Sequence, residues 1–229
     1  MALIELDKLT KNYPMGKSQI VALDGLTLEI ETGEFTVLAG PSGSGKTTAL
    51  NLIGAIDVPT DGRVRVAGRD LSGESPKALA EFRLHKIGFI FQSYNLIPVL
   101  TAAENAEFTL MLQGVDKAER RRRVTALFTE LGIAGLEDRR PGELSGGQQQ
   151  RVAIVRAIVS EPAVVLADEP TANLDSHTSE ELLRLMRRLN EQRGTTFIFS
   201  SHDPQVIGLA RRVVRLRDGR LSVDERMVR

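Results

Sequence analysis

The segment Gly40–Thr47, with the sequence GPSGSGKT, constrains this chain more than any other feature. It follows Phe35–Ala39, a short apolar run rich in strand-forming residues, and precedes Thr47–Ile56, where apolar residues recur at helical spacing. A loop with this spacing between a strand and a helix is typical of a phosphate site. Its glycines let backbone N–H groups curl around phosphate oxygens, and the helix N-terminus adds partial positive charge. The alternative is a glycine-rich turn with an incidental lysine, which this context disfavours.

Two side chains of the loop have predicted roles of their own. Lys46 is expected to neutralise the β- and γ-phosphates, and Thr47 to offer its hydroxyl to Mg²⁺. The residues predicted to bind ATP in and around the loop are Gly40, Pro41, Ser42, Gly43, Ser44, Gly45, Lys46, Thr47 and Thr48.

The segment Val164–Glu169 predicts a buried strand that ends in two acids. Asp168 is expected to hold Mg²⁺ through water, and Glu169 to orient the attacking water and accept its proton. A carboxylate that caps the following turn is the alternative for such a pattern taken alone. The presence of a phosphate loop in the same chain favours hydrolysis.

Other polar residues follow other apolar runs. The runs Ile87–Phe91, Ala163–Ala167 and Thr195–Ser200 predict buried strands of a parallel sheet, and open α/β sheets bind ligands at the carboxyl edge of such strands. Gln92 is predicted to ligate Mg²⁺ or water there and to act as a hinge. His202 is predicted to bridge the γ-phosphate and the attacking water, with a hydrogen-bonded structural histidine as the alternative. The predicted magnesium ligands are Thr47, Gln92 and Asp168.

The fold predicted for the whole chain, residues 1–229, is one α/β domain of the P-loop NTPase type with a mostly parallel sheet. Alternating segments at Leu3–Asp7 and Leu26–Ile30 predict an antiparallel β subdomain at the N-terminus, and a terminal hairpin is predicted around Asp218-Gly219.

A helical pattern fills the middle of the chain and predicts an inserted helical subdomain over about residues 93–161. The predicted helices there are Ala102–Leu112, Lys117–Leu131 and Gly147–Ser160. The basic run Arg120–Arg123 lies in this segment. It predicts either a docking patch for acidic lipid or protein, or a solvated helix face.

Charge and composition exclude several classes of function. The 30 basic and 30 acidic residues cancel, so no global field favours nucleic acid, and the absence of cysteine excludes disulfides and thiolate metal sites. No stretch approaches the roughly 20 apolar residues of a membrane-spanning helix, and Met1–Thr10 lacks a signal-peptide pattern. The chain is therefore expected to stay in the cytoplasm.

A second anion site is predicted at Leu144–Gln148. Ser145 is a plausible N-cap, and Gly146 and Gly147 leave the first N–H groups of the helix uncovered. Since one nucleotide does not need two phosphate cradles in one chain, this surface is expected to meet the γ-phosphate held by a second copy in a head-to-tail homodimer. A plain capped helix is the alternative.

In order along the chain, from about Leu3 to Val223, these motifs resemble the nucleotide-binding subunit of ABC transporters. The resemblance implies that Tyr13 stacks on adenine, although strand packing would also explain it, and that Asp175 in Asn173-Leu174-Asp175 communicates across the dimer. By this resemblance, Gly40–Thr47 is the Walker A motif, Gln92 is the Q-loop glutamine and Val164–Glu169 is the Walker B motif with a catalytic glutamate. His202 is the switch histidine, and the signature motif consists of Leu144, Ser145, Gly146, Gly147 and Gln148.

Within that family, Asn95–Pro98, Leu100–Ala102 and Glu104-Asn105 are similar to the branch that serves macrolide exporters and lipoprotein-release complexes. This implies an integral membrane subunit with a large extracytoplasmic domain, moved as a lever from the cytoplasmic face of the membrane. Ser93-Tyr94 departs from the usual pattern at the stretch that faces the membrane subunit, so the identity of the partner stays open.

The resulting hypothesis is a Mg²⁺-dependent ATPase that drives export or extraction of a substrate. One alternative is an ATPase that regulates a cell-envelope enzyme or sensor through its membrane partner without transport. A DNA-maintenance ATPase would need inserted coiled coils, zinc modules or DNA-binding domains, for which the chain has no room. A GTPase switch is disfavoured because no Asn-Lys-x-Asp motif occurs.

Overall fold

The computed structural model describes residues 2–16 and 18–227, so Met1, Lys17, Val228 and Arg229 of the predicted domain lie outside it. The strands are β1 (Ala2–Met15), β2 (Ser18–Glu31), β3 (Phe35–Ala39), β4 (Asp61–Val66), β5 (Arg69–Asp70), β6 (Ile87–Phe91), β7 (Val164–Asp168), β8 (Thr196–Ser200), β9 (Arg212–Arg217) and β10 (Arg220–Arg226). The helices are α1 (Lys46–Ile53), α2 (Pro76–Lys86), α3 (Ala102–Leu112), α4 (Lys117–Glu130), α5 (Gly146–Ile158), α6 (Ser176–Arg193) and α7 (Pro204–Leu209), with a 3₁₀ turn at Pro141–Glu143.

The larger sheet has the strand order β10-β9-β3-β8-β7-β6, and all neighbours except β9 and β10 are parallel. Every residue of β3 and β8 is buried, as expected for strands covered on both faces. The register pairs Leu38 with Ser200, Ser200 with Asp168, and Asp168 with Phe91. The residues after β3, β8, β7 and β6 therefore gather at one edge. The predicted fold class, with its mostly parallel sheet, is confirmed.

The smaller sheet is antiparallel, in the order β2-β1-β4-β5. Ile4 pairs with Ile30 and Leu6 pairs with Leu28, so the two alternating segments predicted at the N-terminus are neighbours. Both strands are longer than the predicted segments. Backbone pairing in the β1–β2 hairpin continues as far as Met15 and Ser18, where the sequence no longer alternates between apolar and polar residues. Strands β4 and β5, which complete the sheet, were not predicted; only Val64 and Val66 of β4 are buried.

Two apolar clusters cover the two faces of the larger sheet. On one face Leu38 and Ile198 pack in a cluster with α1 and the smaller sheet. On the other face Val37 and Phe199 belong to a cluster that also contains residues of α3, α4, α5 and α6, such as Phe128. The alternation of side chains along each strand produces this division. Among the residues that the structure describes, no helix combines the length and apolarity that crossing a bilayer requires.

Helices α3, α4 and α5 lie between β6 and β7, where the inserted subdomain is predicted. The bounds of α3 are those predicted, and α4 and α5 end one or two residues earlier than expected. A Thr101–Glu104 capping box fixes the start of α3. Helices α2, α6 and α7 were not predicted, although α6 has a clear helical signal: an Asp175 N-cap and a left-handed Gly194 after its last turn.

Candidate nucleotide site

The phosphate loop depends on glycine because other backbones approach it closely. Gly40, Gly43 and Gly45 have φ values of 150°, 79° and 100°. A Cβ atom at Gly40 would lie 2.3 Å from the Leu216 carbonyl oxygen, and one at Gly45 would lie 2.6 Å from the Ala22 carbonyl oxygen. These contacts exclude larger residues, and the positive φ values are ones that glycine adopts without strain.

The loop also concentrates polar groups that suit a phosphate. The buried Lys46 donates from Nζ to the carbonyl oxygens of Gly40 at 2.8 Å and Pro41 at 3.0 Å, which holds its ammonium group at the loop. The Ser44 hydroxyl is buried and has no hydrogen-bond partner among the described residues. A buried hydroxyl without a partner is costly, and a phosphate oxygen would satisfy it. The loop therefore fits the nucleotide that its sequence predicts.

Two of the three predicted magnesium ligands, Thr47 and Asp168, meet across the sheet. Thr47 Oγ1 lies 3.2 Å from Asp168 Oδ1 and 3.4 Å from Oδ2. In the described part of the chain, no three His, Cys, Asp or Glu side chains cluster as a metal site. A hydroxyl and one carboxylate, completed by phosphate and water, are the few oxygen ligands that suit Mg²⁺. Gln92 follows β6, and its carbonyl oxygen accepts a hydrogen bond from Asn173 Nδ2 at 3.0 Å.

Glu169 and His202 form a close pair beside this position. His202 Nδ1 lies 2.7 Å from Glu169 Oε1, and the Ser201 hydroxyl donates to Glu169 Oε2 at 3.0 Å. Glu169 has a φ of 44°, in the left-handed region that non-glycine residues rarely adopt, and its N–H donates to the Ser200 carbonyl oxygen at 2.9 Å. The backbone and both carboxylate oxygens are thus fixed. Such strain is found where a side chain must be aimed at a site.

Tyr13 lies near Thr48, in the first turn of α1. Its hydroxyl donates to Asp57 Oδ2 at 2.8 Å, and its ring is half-buried. Burial first, and then the Asp57 carboxylate, raises the pKa of Tyr13, while the Thr48 side chain acts in the opposite direction. The phenol therefore stays neutral and donates to Asp57 near neutral pH.

The start of α5 has the predicted Ser145 N-cap, and Gln148 completes it as a capping box. Ser145 Oγ accepts the N–H of Gln148 at 3.3 Å, and Gln148 Oε1 accepts the N–H of Ser145 at 2.9 Å. Among the described residues nothing accepts from the N–H groups of Gly146 and Gly147. Packing also favours glycine over a larger residue at both positions. A Cβ atom at Gly147 would lie 2.6 Å from Thr178 Cγ2, and one at Gly146 would lie 2.9 Å from Tyr94 Oη.

Asp175 is the N-cap of α6. Its carboxylate accepts hydrogen bonds from the Thr178 N–H at 3.0 Å and the Thr178 hydroxyl at 2.7 Å. These bonds hold the pKa of Asp175 below its ordinary value. Thr178 also lies against the start of α5, so Asp175 and the signature segment share a neighbour.

The structure brings most of the predicted site together, with one exception. The loop, Asp168, Glu169, His202 and Gln92 follow adjacent strands at one edge of the larger sheet. No hydrogen bond or ion pair in the described ranges joins the signature segment, Leu144–Gln148, to the loop, Gly40–Thr47.

Three residues that contact the site were not predicted as site residues. Asn173 and Ser201 lie beside predicted motifs, between the end of a strand and the start of a helix. This position in the sequence could have identified them as site residues. Asp57 has no such signal, since it is 44 positions from Tyr13 in the chain.

A protein-family model described as ABC transporter matches residues 23–172. The macrolide export ATP-binding/permease protein MacB of Syntrophobacter fumaroxidans is 48% identical over 221 residues, which are 96% of this chain and 31% of that protein. The chain thus spans about a third of the length of such relatives. An uncharacterized ABC transporter ATP-binding protein of Thermotoga maritima is 45% identical over 97% of this chain and 95% of its own length.

A solved structure is similar over nearly its whole length. It is a dimeric post-hydrolysis state of the ATP-binding cassette MJ0796 bound to ADP and Pi, with a TM-score of 0.90, 41% identity, and coverage of 98% of this chain and 99% of the other.

Proposed function

The chain belongs to the ATP-binding family of ABC transporters, and we propose that two copies of it hydrolyse Mg²⁺-ATP head to tail and thereby drive an integral membrane subunit. The observation that carries this proposal is the separation of two anion-binding surfaces in one chain. The loop Gly40–Thr47 contacts Asp168, the neighbour of Glu169 in the chain, whereas the helix start at Ser145 has no bond to that loop in the described part of the chain. A second copy is the simplest source of the missing half of each site.

Each residue at the sheet edge has a step in this mechanism. Lys46 and the loop N–H groups hold the β- and γ-phosphates, and bound Mg²⁺, held by Thr47 and Asp168 with Gln92, would neutralise phosphate charge. Glu169 orients the attacking water and accepts its proton. His202, 2.7 Å from Glu169, keeps that carboxylate aimed and reaches toward the γ-phosphate.

The dimer completes each site in this proposal. The N–H groups of Gly146 and Gly147 and the Ser145 hydroxyl would contact the γ-phosphate held by the other copy, with Leu144 and Gln148 framing them. Asp175, which shares Thr178 with this surface, would communicate between the two sites. The dimeric MJ0796 structure, 41% identical, supports this arrangement.

A groove of about 510 Å³ beside Gln92 is the proposed docking site of the membrane subunit. Its lining includes Phe89 and Phe91, whose rings stack 5.5 Å apart, and Leu112, which is 56% exposed. An apolar surface of this kind is typical of a protein interface. Phe89 and Phe91 belong to β6, whereas Leu112 belongs to the helical subdomain of about residues 93–161. The subdomain therefore forms one side of the groove, and its movement on ATP binding would move the partner.

The proposed location of the chain and the type of its membrane partner are based on its similarity to the macrolide-export relatives. We infer a peripheral position on the cytoplasmic face of the membrane, and a partner with a large extracytoplasmic domain that exports or extracts its substrate as a lever. In those relatives, ATP-binding and permease functions are named together, and this chain matches only about a third of their length. Regulation of an envelope enzyme without transport would use the same geometry.

Size-exclusion chromatography of a Glu169→Gln variant tests the dimer. With Mg²⁺-ATP we expect a shift from monomer to dimer, because nucleotide is retained at both composite sites. A monomer at every protein concentration would contradict the head-to-tail arrangement.

Duplex DNA is expected to leave the ATPase rate unchanged, and stimulation by DNA would favour the DNA-maintenance class. A four-span membrane protein with a large extracytoplasmic domain in the neighbouring reading frame would support the lever.

A further inference from the structure

Lys11, Tyr13 and Asp57 form a compact polar cluster beside α1, the helix that starts in the phosphate loop. Asp57 accepts hydrogen bonds from Lys11 Nζ at 2.6 Å, from the Tyr13 hydroxyl at 2.8 Å and from the Val58 N–H at 2.7 Å. Lys11 is 9% exposed, and its Nζ lies 5.0 Å from the centre of the Tyr13 ring and donates to the Val58 carbonyl oxygen at 2.8 Å. One carboxylate therefore fixes both the phenol and the ammonium group that lies over it.

The cluster is tied to the phosphate loop through α1. This helix begins at Lys46, inside the loop, and ends at Ile53, shortly before Asp57. The N–H groups of Ile56 and Asp57 both donate to the Asn51 carbonyl oxygen, at 2.9 and 3.3 Å. Asp57 consequently holds a set position relative to the phosphates, whereas Tyr13 belongs to a long hairpin whose tip is exposed.

We propose that Asp57, together with Lys11, is a positioning element for the nucleotide base, because it locks the Tyr13 ring at a set distance from the phosphate loop. The inference rests on the proposed contact between Tyr13 and adenine. Lys11 occupies one face of the ring by a cation–π contact, so the base uses the opposite face. A ring already held in place loses less conformational freedom when the base stacks on it.

Binding measurements with ATP and with inorganic tripolyphosphate test this inference. Both ligands use the phosphate loop, but only ATP has a base, so the ratio of their dissociation constants isolates the contribution of the base. Isothermal titration calorimetry in EDTA prevents turnover. The variants are Asp57→Ala, Tyr13→Phe, Tyr13→Ala and the double variant Asp57→Ala/Tyr13→Ala. Asp61→Ala is the matched control, because Asp61 is an exposed acid nearby whose bond is to the N–H of Gly62.

We expect Tyr13→Ala to weaken ATP roughly tenfold or more, the size of an aromatic stack on a base, and to leave tripolyphosphate unchanged. Asp57→Ala should reproduce most of this loss, and it should add almost nothing in the Tyr13→Ala background. Tyr13→Phe keeps the ring and the Lys11–Asp57 pair and should weaken ATP about threefold. Asp61→Ala should bind both ligands normally.

Different failures point to different errors. If Tyr13→Ala binds ATP as the unchanged chain does, the adenine contact itself is wrong. If Tyr13→Ala weakens ATP while Asp57→Ala and Tyr13→Phe do not, the positioning role of Asp57 is overturned and the proposed function stands. Equal losses for ATP and tripolyphosphate in Asp57→Ala would mean general damage to the loop, which also overturns the inference. Should Asp57→Ala not fold, Tyr13→Phe alone decides, since it keeps the ring and removes the hydroxyl that bonds to Asp57.

Discussion

Thr47 Oγ1 lies 3.2 Å from Asp168 Oδ1, although the two residues are 121 positions apart in the chain. Thr47 is in the first turn of α1, which follows β3, and Asp168 ends β7, with β8 between these two strands in the sheet. A hydroxyl and a carboxylate facing each other at the edge of the sheet are what a small divalent cation between protein and phosphate requires.

Removing the Thr47 hydroxyl should impair the use of Mg²⁺. For Thr47→Val we expect the Mg²⁺ concentration that gives half-maximal ATPase activity to rise about tenfold or more, as loss of metal-site contacts does elsewhere. Thr47→Ser keeps the hydroxyl and is the control. Equal Mg²⁺ dependence in the two variants would exclude Thr47 from the metal site.

Replacing the proposed base should abolish turnover without abolishing binding. Glu169→Gln is expected to lower the ATPase rate by roughly a thousandfold, because the amide cannot accept the proton of the attacking water. ATP affinity should stay near normal. Glu180→Gln, which removes an exposed acid of α6 ion-paired with Arg184, is the control. A Glu169→Gln variant with ordinary turnover would assign the base elsewhere.

Mixing two inactive variants tests whether each site is shared between copies. Lys46→Ala disables the loop and Ser145→Arg disables the helix start of α5. If the dimer is head to tail, about half of all dimers in an equimolar mixture combine the two variants. Each of these has one intact site out of two, so roughly a quarter of the activity should return.

The control for that experiment mixes Lys46→Ala with Glu169→Gln. Both changes lie in the half of the site that contains the loop, so no dimer has an intact site and activity should stay low. Recovery in both mixtures, or in neither, would argue against shared sites.

The ion pair between Arg212 and Asp224 should make stability depend on pH. Arg212 Nη2 lies 2.7 Å from Asp224 Oδ2, and this hydrogen bond holds the pKa of Asp224 below its ordinary 3.8. A carboxyl whose pKa is lowered by folding stabilises the protein fully above the unfolded value and loses that contribution as the pH falls through the folded pKa. The stabilisation should therefore be complete at pH 7 and decline as the pH falls below about 4 toward the lower pKa of the folded state.

Asp224→Asn is expected to lower Tm by roughly 3–6 °C at pH 7, corresponding to about 1.5 kcal/mol for a hydrogen bond between charged groups. In denaturant unfolding, the difference from the unchanged chain should shrink as the pH is lowered below 4. Asp218→Asn, at a side chain 92% exposed, should change little. A pH-independent difference would mean that packing rather than charge is lost at Asp224.

Several parts of this protein could be predicted because their signals are local. The strand, loop and helix around Gly40–Thr47 are contiguous, and the bounds of α3 follow from its apolar spacing and its Thr101–Glu104 cap. Strand β4 was missed because only two of its residues are buried, and α6 was missed although its caps are visible in the sequence. The position of Glu169 after a buried strand is likewise a local pattern.

By itself, the sequence determined the phosphate loop and the acids at the strand end, since each depends on residues that are neighbours along the chain. It also determined the membership of the chain in its family, which depends on the order of such local motifs. Only the tertiary structure decided that Tyr13 bonds to Asp57, that Asn173 bonds to the carbonyl of Gln92, and that Gly147 must make room for Thr178. These contacts depend on the order and register of strands and on the packing of whole helices. Neither can be deduced from the spacing of residues within one segment.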